Sequence, residues 1–227
     1  MRFSEQDYIV TLRKEFENNA NVERAKTNEQ YMRNKFSYYG IRSPLRNEIQ
    51  KPFLLKSQLP EKDKLARVVK NLWSQEKRDF KYFAIDLCKK YMRDIEPDDI
   101  ALYEMMISTE SWWDTVDLIA STLVGEYLKK YPERRWELVE KWLNSGNLWL
   151  QRTSLIFQLK YKDAVDPQIL EHAINETNGT KEFFLNKAIG WSLRGYARYE
   201  PDWVLDFVEN HELSNLSRRE ALKHLGK

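Results

Sequence analysis

Hydrophobic residues recur every three to four positions along most of the chain, which is the spacing of one face of an α-helix. One such stripe lies within residues 112–128, and a second lies within residues 182–197. The first stripe comprises Trp112, Val116, Ile119, Leu123 and Tyr127, and the second comprises Phe184, Ala188 and Trp191. No strong alternation of apolar and polar residues indicates a strand, so the pattern predicts an all-α fold.

Prolines and one asparagine–glycine pair separate the predicted helices. The prolines lie at helix starts or in short connections between apolar runs: Pro44, Pro60, Pro97, Pro132, Pro167 and Pro201. Proline is tolerated at the first position of a helix, where its missing N–H is not needed. Asn178-Gly179 predicts a tight turn.

The predicted helices also form a repeat. Pairs of large apolar residues lie near helix starts, and their second members are 40, 36 and 35 residues apart: Leu72-Trp73, Trp112-Trp113, Leu148-Trp149 and Phe183-Phe184. Basic and aromatic residues follow each pair: Lys89-Lys90-Tyr91, Lys129-Lys130-Tyr131, Lys160-Tyr161-Lys162 and Arg198-Tyr199. A period of this length is typical of HEAT-like repeats, which stack antiparallel helix pairs into a curved solenoid with a concave binding face. No linker-like segment interrupts it, so we expect a single domain over residues 1–227.

Composition narrows the possible classes of function. The chain is 42% hydrophobic and 32% charged with a formal net charge of +2, so binding of nucleic acid must rely on local basic clusters. Cys88 is the only cysteine and is expected to be a buried thiol in a reducing cytoplasm. The three histidines have no metal-ligand spacing, and no apolar run approaches a membrane span. We therefore expect a cytoplasmic monomer with no metal, cofactor or membrane partner.

The segment Ser111-Trp-Trp-Asp-Thr-Val-Asp117 concentrates indoles and carboxylates at the start of a predicted helix. Ser111 and Asp114 fit a capping signal, with the serine as cap and the aspartate in the first turn. Asp117 is one turn after Trp113 and shares its face. An aspartate among apolar neighbours needs a cation, so it is either one partner of a structural ion pair or a carboxylate directed into a cleft. Spacing alone favours neither interpretation.

Two later helices supply candidate partners. Arg152 lies deep in an apolar helix, where arginine is usually paired; Asp117 is the expected partner, and a phosphate is the alternative. In the next repeat, Lys187, Trp191 and Arg194 share one helix face. Gly190 beside this tryptophan would allow close approach of another backbone or of a ligand.

These residues resemble the AlkD-type DNA glycosylases of the DNA alkylation repair family. The similarity rests on the segments 111–117, 147–152 and 181–194, and it extends to Tyr31-Met32 and to Gly40-Ile-Arg-Ser-Pro44. It implies HEAT-like repeats that hold duplex DNA and excise positively charged N3- and N7-alkylpurines without flipping the base. It further implies a catalytic carboxylate at Asp117, contacts of Trp113 and Trp191 with the deoxyribose, a phosphate contact by Arg152 and a lesser contact by Tyr31.

Phosphate contacts would come from local basic clusters. We expect contributions from Lys187, Arg194, Arg42 and Arg46, with Lys77-Arg78, Lys81, Arg198 and Arg218-Arg219 as further clusters. For each cluster, an ordinary solvated surface is the competing interpretation. Two other functions also fit the sequence, namely a non-catalytic helical-repeat module that binds nucleic acid or protein, and a glycosylase for other lesions such as bulky adducts.

Overall fold

The computed structural model describes the backbone of residues 5–225 and the side chains of residues 8–225. Every regular element in this range is helical, which confirms the predicted all-α class. The chain forms two compact units, Met1–Asp94 and Ile95–Lys227. The single domain expected over residues 1–227 stays a prediction.

The first unit contains five α-helices within the described residues. They are α1 (Glu5–Asn18), α2 (Val22–Tyr31), α3 (Ser43–Gln50), α4 (Lys62–Trp73) and α5 (Arg78–Lys89), with a 3₁₀ helix, Lys51–Leu54, after α3. Aromatic rings fill its core. The ring centroid of Phe16 lies 5.4 Å from that of Phe80, and Tyr8 contacts Phe53 edge-on at 5.7 Å. The Tyr8 hydroxyl donates to the Phe53 carbonyl at 2.6 Å, which joins α1 to the 3₁₀ helix.

The second unit carries most of the predicted site residues. Its α-helices are α6 (Asp99–Ser108), α7 (Trp113–Leu118), α8 (Gly125–Lys130), α9 (Arg135–Leu143), α10 (Leu148–Ile156), α11 (Pro167–Thr177), α12 (Phe183–Tyr196), α13 (Pro201–Asn210) and α14 (Asn215–Ala221). Two 3₁₀ helices, Pro132–Arg134 and Lys162–Ala164, lie in the connections. Pro167 and Pro201 begin helices as predicted, and Gly179 has a positive φ of 81° in the predicted turn.

One ladder of aromatic side chains runs through the repeats of the second unit. Trp112, Trp149 and Phe184 lie at the starts of α7, α10 and α12, and their ring centroids are 5.0 to 5.6 Å apart. The predicted repeat therefore holds here. The predicted position at a helix start was wrong for Trp73, because this tryptophan is the last residue of α4. A buried apolar pair suits either end of a helix, so the pattern alone does not give its direction.

The tyrosines of the basic–aromatic runs connect successive repeats. Tyr131 donates to the Ile95 carbonyl at 3.1 Å, and Tyr161 donates to the Gly125 carbonyl at 2.7 Å. Tyr91 does the same to the Pro60 carbonyl within the first unit. Each bond spans 31 to 36 residues, about one repeat. The tyrosines of these runs therefore have a structural role, which the sequence pattern did not indicate.

The predicted helix at residues 112–128 forms, but it contains a π-helical turn. Helices α7 and α8 are continuous through Ile119–Val124, where the Gly125 N–H donates to the Ala120 carbonyl five residues earlier. All five predicted stripe residues are buried. Gly125 permits a close crossing, because a Cβ there would lie 2.8 Å from the Phe157 carbonyl oxygen.

Two smaller expectations concern single residues and the membrane. Cys88 is fully buried in α5, as predicted. Across the described part of the chain, no helix combines the length and the apolar character that a membrane crossing needs.

Candidate active site

The centre of the candidate site is an ion pair between α7 and α10. Arg152 donates through Nε to Asp117 Oδ1 at 2.7 Å and through Nη2 to Oδ2 at 2.9 Å. Its Nη1 donates to the Phe184 carbonyl on α12. The arginine side chain is 4% exposed and the aspartate side chain 14%. Three successive repeats therefore meet at one guanidinium, and the expected pairing of the two residues is present.

Burial dominates the electrostatics of this carboxylate. Loss of water raises the pKa of Asp117 above its ordinary value of 3.8, against the hydrogen bonds and charge of Arg152, which lower it. The nearby Asp114 carboxylate adds to the increase. The arginine therefore keeps a negative charge in a place that disfavours one. Because little water surrounds this carboxylate, its charge is poorly screened and acts strongly on groups a few ångströms away.

The two tryptophans are both partly buried. The Arg152 guanidinium carbon lies 6.0 Å from the ring centre of Trp191 and 5.9 Å from that of Phe184. Trp113 begins α7, one turn before Asp117. Arg152 thus contacts both Asp117 and Trp191, and Trp113 shares a face of α7 with Asp117, one turn earlier.

The predicted cap of α7 was wrong in one residue. Ser111 does not cap this helix; its hydroxyl donates to the Ile107 carbonyl of α6 at 2.6 Å. Trp112 occupies the cap position, and Asp114 lies in the first turn as predicted. Ser111 precedes the cap position of α7, and its side chain bonds to a carbonyl of the preceding helix instead.

Lys187 and Arg194 share one carboxylate, that of Glu220 on α14. Lys187 Nζ lies 2.7 Å from Glu220 Oε1, and Arg194 Nη1 lies 2.8 Å from Oε2. A Cβ added at Gly190 would lie 2.6 Å from the Ser217 carbonyl oxygen. Of the two possibilities left open for this glycine, the structure therefore shows close approach of another backbone.

The remaining predicted contacts with DNA belong to the first unit. Tyr31 ends α2 and is 70% exposed, and Arg42 is exposed at the cap position of α3. The guanidinium of Arg46 lies 4.4 Å from the ring centre of Tyr82. Contact of these three residues with DNA stays a prediction.

Two members of one predicted basic cluster were wrong, whereas a DNA contact by Lys77 stays a prediction. Arg78 is fully buried with its guanidinium 3.8 Å from the ring centre of Phe36, and Lys81 is 2% exposed and donates to the Gln75 carbonyl. Both side chains support the core around α5, so they are not part of a phosphate-binding surface.

Metal ligation has no apparent site in the part of the chain that the structure describes. Within residues 8–225, no three His, Cys, Asp or Glu side chains lie together as ligands would. His172 Nε2 lies 2.5 Å from Glu140 Oε1, and His211 stacks on Phe207 with ring centroids 3.8 Å apart.

Sequence reasoning missed two groups at the site. The Phe184 carbonyl is a backbone acceptor for Arg152, and Glu220 lies 26 residues after Arg194. Neither residue has a local signal, because only the packing of α12 on α10 and α14 brings these atoms together. The single clue to Glu220 was that two partly buried cations on one helix face need a counter-charge.

The helical repeats and the buried carboxylate–arginine pair define an all-α repeat protein with a candidate active site. Comparison with protein families gives a match to the DNA alkylation repair enzyme family over residues 12–225. The chain belongs to this family, so it has a role in DNA repair.

Known structures agree with this assignment. One, a predicted DNA alkylation repair enzyme from Enterococcus faecalis, is 30% identical with a TM-score of 0.86, over 92% of this chain and 98% of that one. AlkD2 from Streptococcus mutans is 15% identical with a TM-score of 0.60, over 81% and 99%. The protein smu.31 from Streptococcus mutans UA159 is 16% identical with a TM-score of 0.62, over 80% and 96%. At these identities the last two show the fold alone. No curated protein matched the chain.

Proposed function

We propose that the protein is a DNA glycosylase that hydrolyses the N-glycosidic bond of positively charged N3- and N7-alkylpurines in duplex DNA. The observation that carries this proposal is the partly buried Asp117 carboxylate, held on both oxygens by Arg152 beside the partly buried Trp191. This is a fixed negative charge whose arginine partner lies near two aromatic rings, those of Phe184 and Trp191. Such a site suits a ligand that is cationic or becomes cationic in the transition state.

The charge of the lesion determines which groups are needed. When the bond between C1′ and the purine nitrogen breaks, its electron pair neutralises the cationic base, so the base leaves without a strong general acid. The positive charge then develops on the sugar, where Asp117 would stabilise it. A water molecule adds to C1′ and loses its proton, for which this carboxylate, with its pKa raised by burial, is a suitable acceptor.

The aromatic residues would hold the sugar. Tryptophan faces attract cations, and Trp191 already lies 6.0 Å from one guanidinium carbon. Trp113 would contact the same deoxyribose from α7, and Arg152 would contact a neighbouring phosphate while orienting the carboxylate. Because the charge to be stabilised is on the sugar, the base itself can stay in the stack, and we propose that it is not flipped.

The test is release of 7-methylguanine and 3-methyladenine from methylated duplex DNA under single-turnover conditions. We expect the wild type to release both bases and Asp117→Asn to be slower by at least about 10²-fold, as for loss of one main electrostatic group. Glu126→Gln is the matched control, because it removes one partly exposed carboxylate on α8 that is paired with Lys129 at 2.7 Å. Its rate should equal that of the wild type.

Two outcomes would overturn the proposal. No release by the wild type together with binding of duplex DNA would identify a non-catalytic helical-repeat module. Equal rates for wild type and Asp117→Asn would remove the carboxylate from the chemistry. Release of bulky cationic adducts by the same variants would extend the substrate range, since an unflipped lesion leaves room for large groups.

A further inference from the structure

Glu220 is a single carboxylate that joins two cations of the candidate DNA-binding surface. Its two oxygens lie 2.7 Å from Lys187 Nζ and 2.8 Å from Arg194 Nη1, so each oxygen serves one partner. The glutamate side chain is 10% exposed, against 37% for the lysine and 18% for the arginine. The carboxylate therefore lies inside the cluster, while the lysine reaches the surface.

The packing of α14 on α12 fixes this carboxylate in place. A Cβ at Gly190 would lie 2.5 Å from Glu220 Cβ, so the two helices touch at this point. The Ser217 hydroxyl donates to the Asn186 carbonyl at 2.9 Å, one turn earlier on both helices. Glu220 thus meets its two partners from a rigid crossing. The hydrogen bond from Lys187, together with the positive charges of Lys187, Arg194 and Lys223, lowers the pKa of Glu220 against the effect of its burial, so it is ionised at neutral pH.

The cluster is next to the candidate active site. Trp191 lies between Lys187 and Arg194 along α12, and its ring centre is 6.0 Å from the guanidinium carbon of Arg152. Without Glu220, the two cations of α12 would present two positive charges beside this ring; with it they present one. DNA phosphates respond to that net charge, because each neutralised phosphate releases a counterion.

We propose that Glu220 sets the electrostatic affinity of this surface for DNA: it positions Lys187 and Arg194 beside Trp191 and halves their net charge, which limits the affinity of the enzyme for undamaged DNA. The inference rests on the DNA binding that the proposed function requires. A repair enzyme must leave the many undamaged sites that it meets, and non-specific affinity is almost entirely electrostatic.

The experiment measures the dissociation constant for an undamaged duplex between 50 and 300 mM NaCl. Four proteins are compared: the wild type, Glu220→Gln, Lys187→Gln and the double variant. Glu220→Gln should steepen the slope of log K against log salt by about 0.9 and bind roughly eight-fold more tightly at 100 mM, as for one added cation. Lys187→Gln should make the slope shallower by about the same amount. The double variant should return to the wild-type slope.

Equal slopes for all four proteins would overturn the proposal and leave Glu220 only as a link between α12 and α14. Glu126→Gln is measured in the same way as a control, and an equal steepening by it would also overturn the proposal, because the effect would then be one of total charge. Should Glu220→Gln alone not fold, the double variant against Lys187→Gln still decides, because these two proteins differ only in the Glu220 carboxylate. The binding measurement uses undamaged DNA and does not depend on base release. Absence of glycosylase activity would therefore refute the proposed function and leave this result unchanged.

Discussion

Replacing Arg152 by methionine tests how the buried carboxylate is held. Methionine fills the space of the aliphatic part of the arginine side chain, but it lacks the guanidinium and therefore removes the hydrogen bonds to both oxygens of Asp117 and to the Phe184 carbonyl. Because Arg152 is 3% exposed, few water molecules reach these groups to replace the lost bonds. An uncompensated charge would be left inside the protein.

The structure gives both the size and the pH dependence of the effect. Removing one partner of a buried ion pair costs about 3–5 kcal/mol. Burial and Asp114 already raise the pKa of Asp117, and loss of Arg152 would raise it further. A carboxyl whose folded pKa is above its unfolded pKa loses stability as pH rises through the folded value. The loss of unfolding free energy in Arg152→Met should therefore be larger at pH 8 than at pH 5. As the pH is lowered, base release by this variant should begin to decline at a higher pH than in the wild type, because Asp117 is protonated earlier.

Urea denaturation at both pH values, with Asp117→Asn and the double variant, completes the cycle. The double variant has neither charge of the pair. Its loss of unfolding free energy should therefore be smaller than the sum of the losses in the two single variants by about 1–3 kcal/mol. A deficit of Arg152→Met below about 1 kcal/mol, equal at pH 5 and 8 and additive with Asp117→Asn, would refute the reasoning. The control Lys141→Met removes a cation that is 56% exposed in its pair with Glu104 and should cost no more than about 1 kcal/mol.

Two further predictions concern the contacts between repeats. Tyr161→Phe removes a buried hydroxyl that donates to the Gly125 carbonyl, so it should lower the free energy of unfolding by about 1–2 kcal/mol in urea; an unchanged midpoint would contradict that role. Gly190→Ala should destabilise by about 1–3 kcal/mol, because its Cβ would meet Glu220 Cβ at 2.5 Å. Gly195→Ala, on the same helix but with its nearest neighbour the flexible Leu159 side chain at 3.4 Å, should stabilise by about 0.5–1 kcal/mol. Thermal melting of both glycine variants checks this, and equal shifts would contradict it.

Helical periodicity predicted the fold because it reports burial directly. The stripe from Trp112 to Tyr127 and the helix Phe183–Tyr196 appear within one or two residues of the predicted bounds. The phase of the repeat was harder to predict. Trp73 ends its helix while Trp112, Trp149 and Phe184 mark helix starts, and an apolar pair has the same appearance at both ends.

The candidate site could be predicted where a charged residue occurred in an otherwise apolar helix. Asp117 and Arg152 stood out in apolar helices, and each needed a partner of opposite charge. Exposure of basic residues was less predictable, since Lys81 resembles any surface lysine in sequence yet is buried. Glu220 was missed for the converse reason: it belongs to an ordinary charged helix, and only the crossing at Gly190 gives it a role.

The π-helical turn at Ile119–Val124 makes the position of Asp117 tolerant of a one-residue deletion on its C-terminal side. The residues on its far side are anchored independently, since the Tyr127 hydroxyl donates to the Pro97 carbonyl at 2.9 Å. Deleting one residue from this turn would restore a regular helix and leave α7 almost unrotated relative to that anchor, because a π-helical turn holds one more residue than an α-helical turn in about the same full rotation. The same deletion within the regular turns of α7, after Asp117, would rotate the carboxylate by roughly 100° away from Arg152. When relatives of this protein are aligned, a one-residue gap within Ile119–Val124 is therefore compatible with an intact site, whereas the same gap between Asp117 and Ile119 is not.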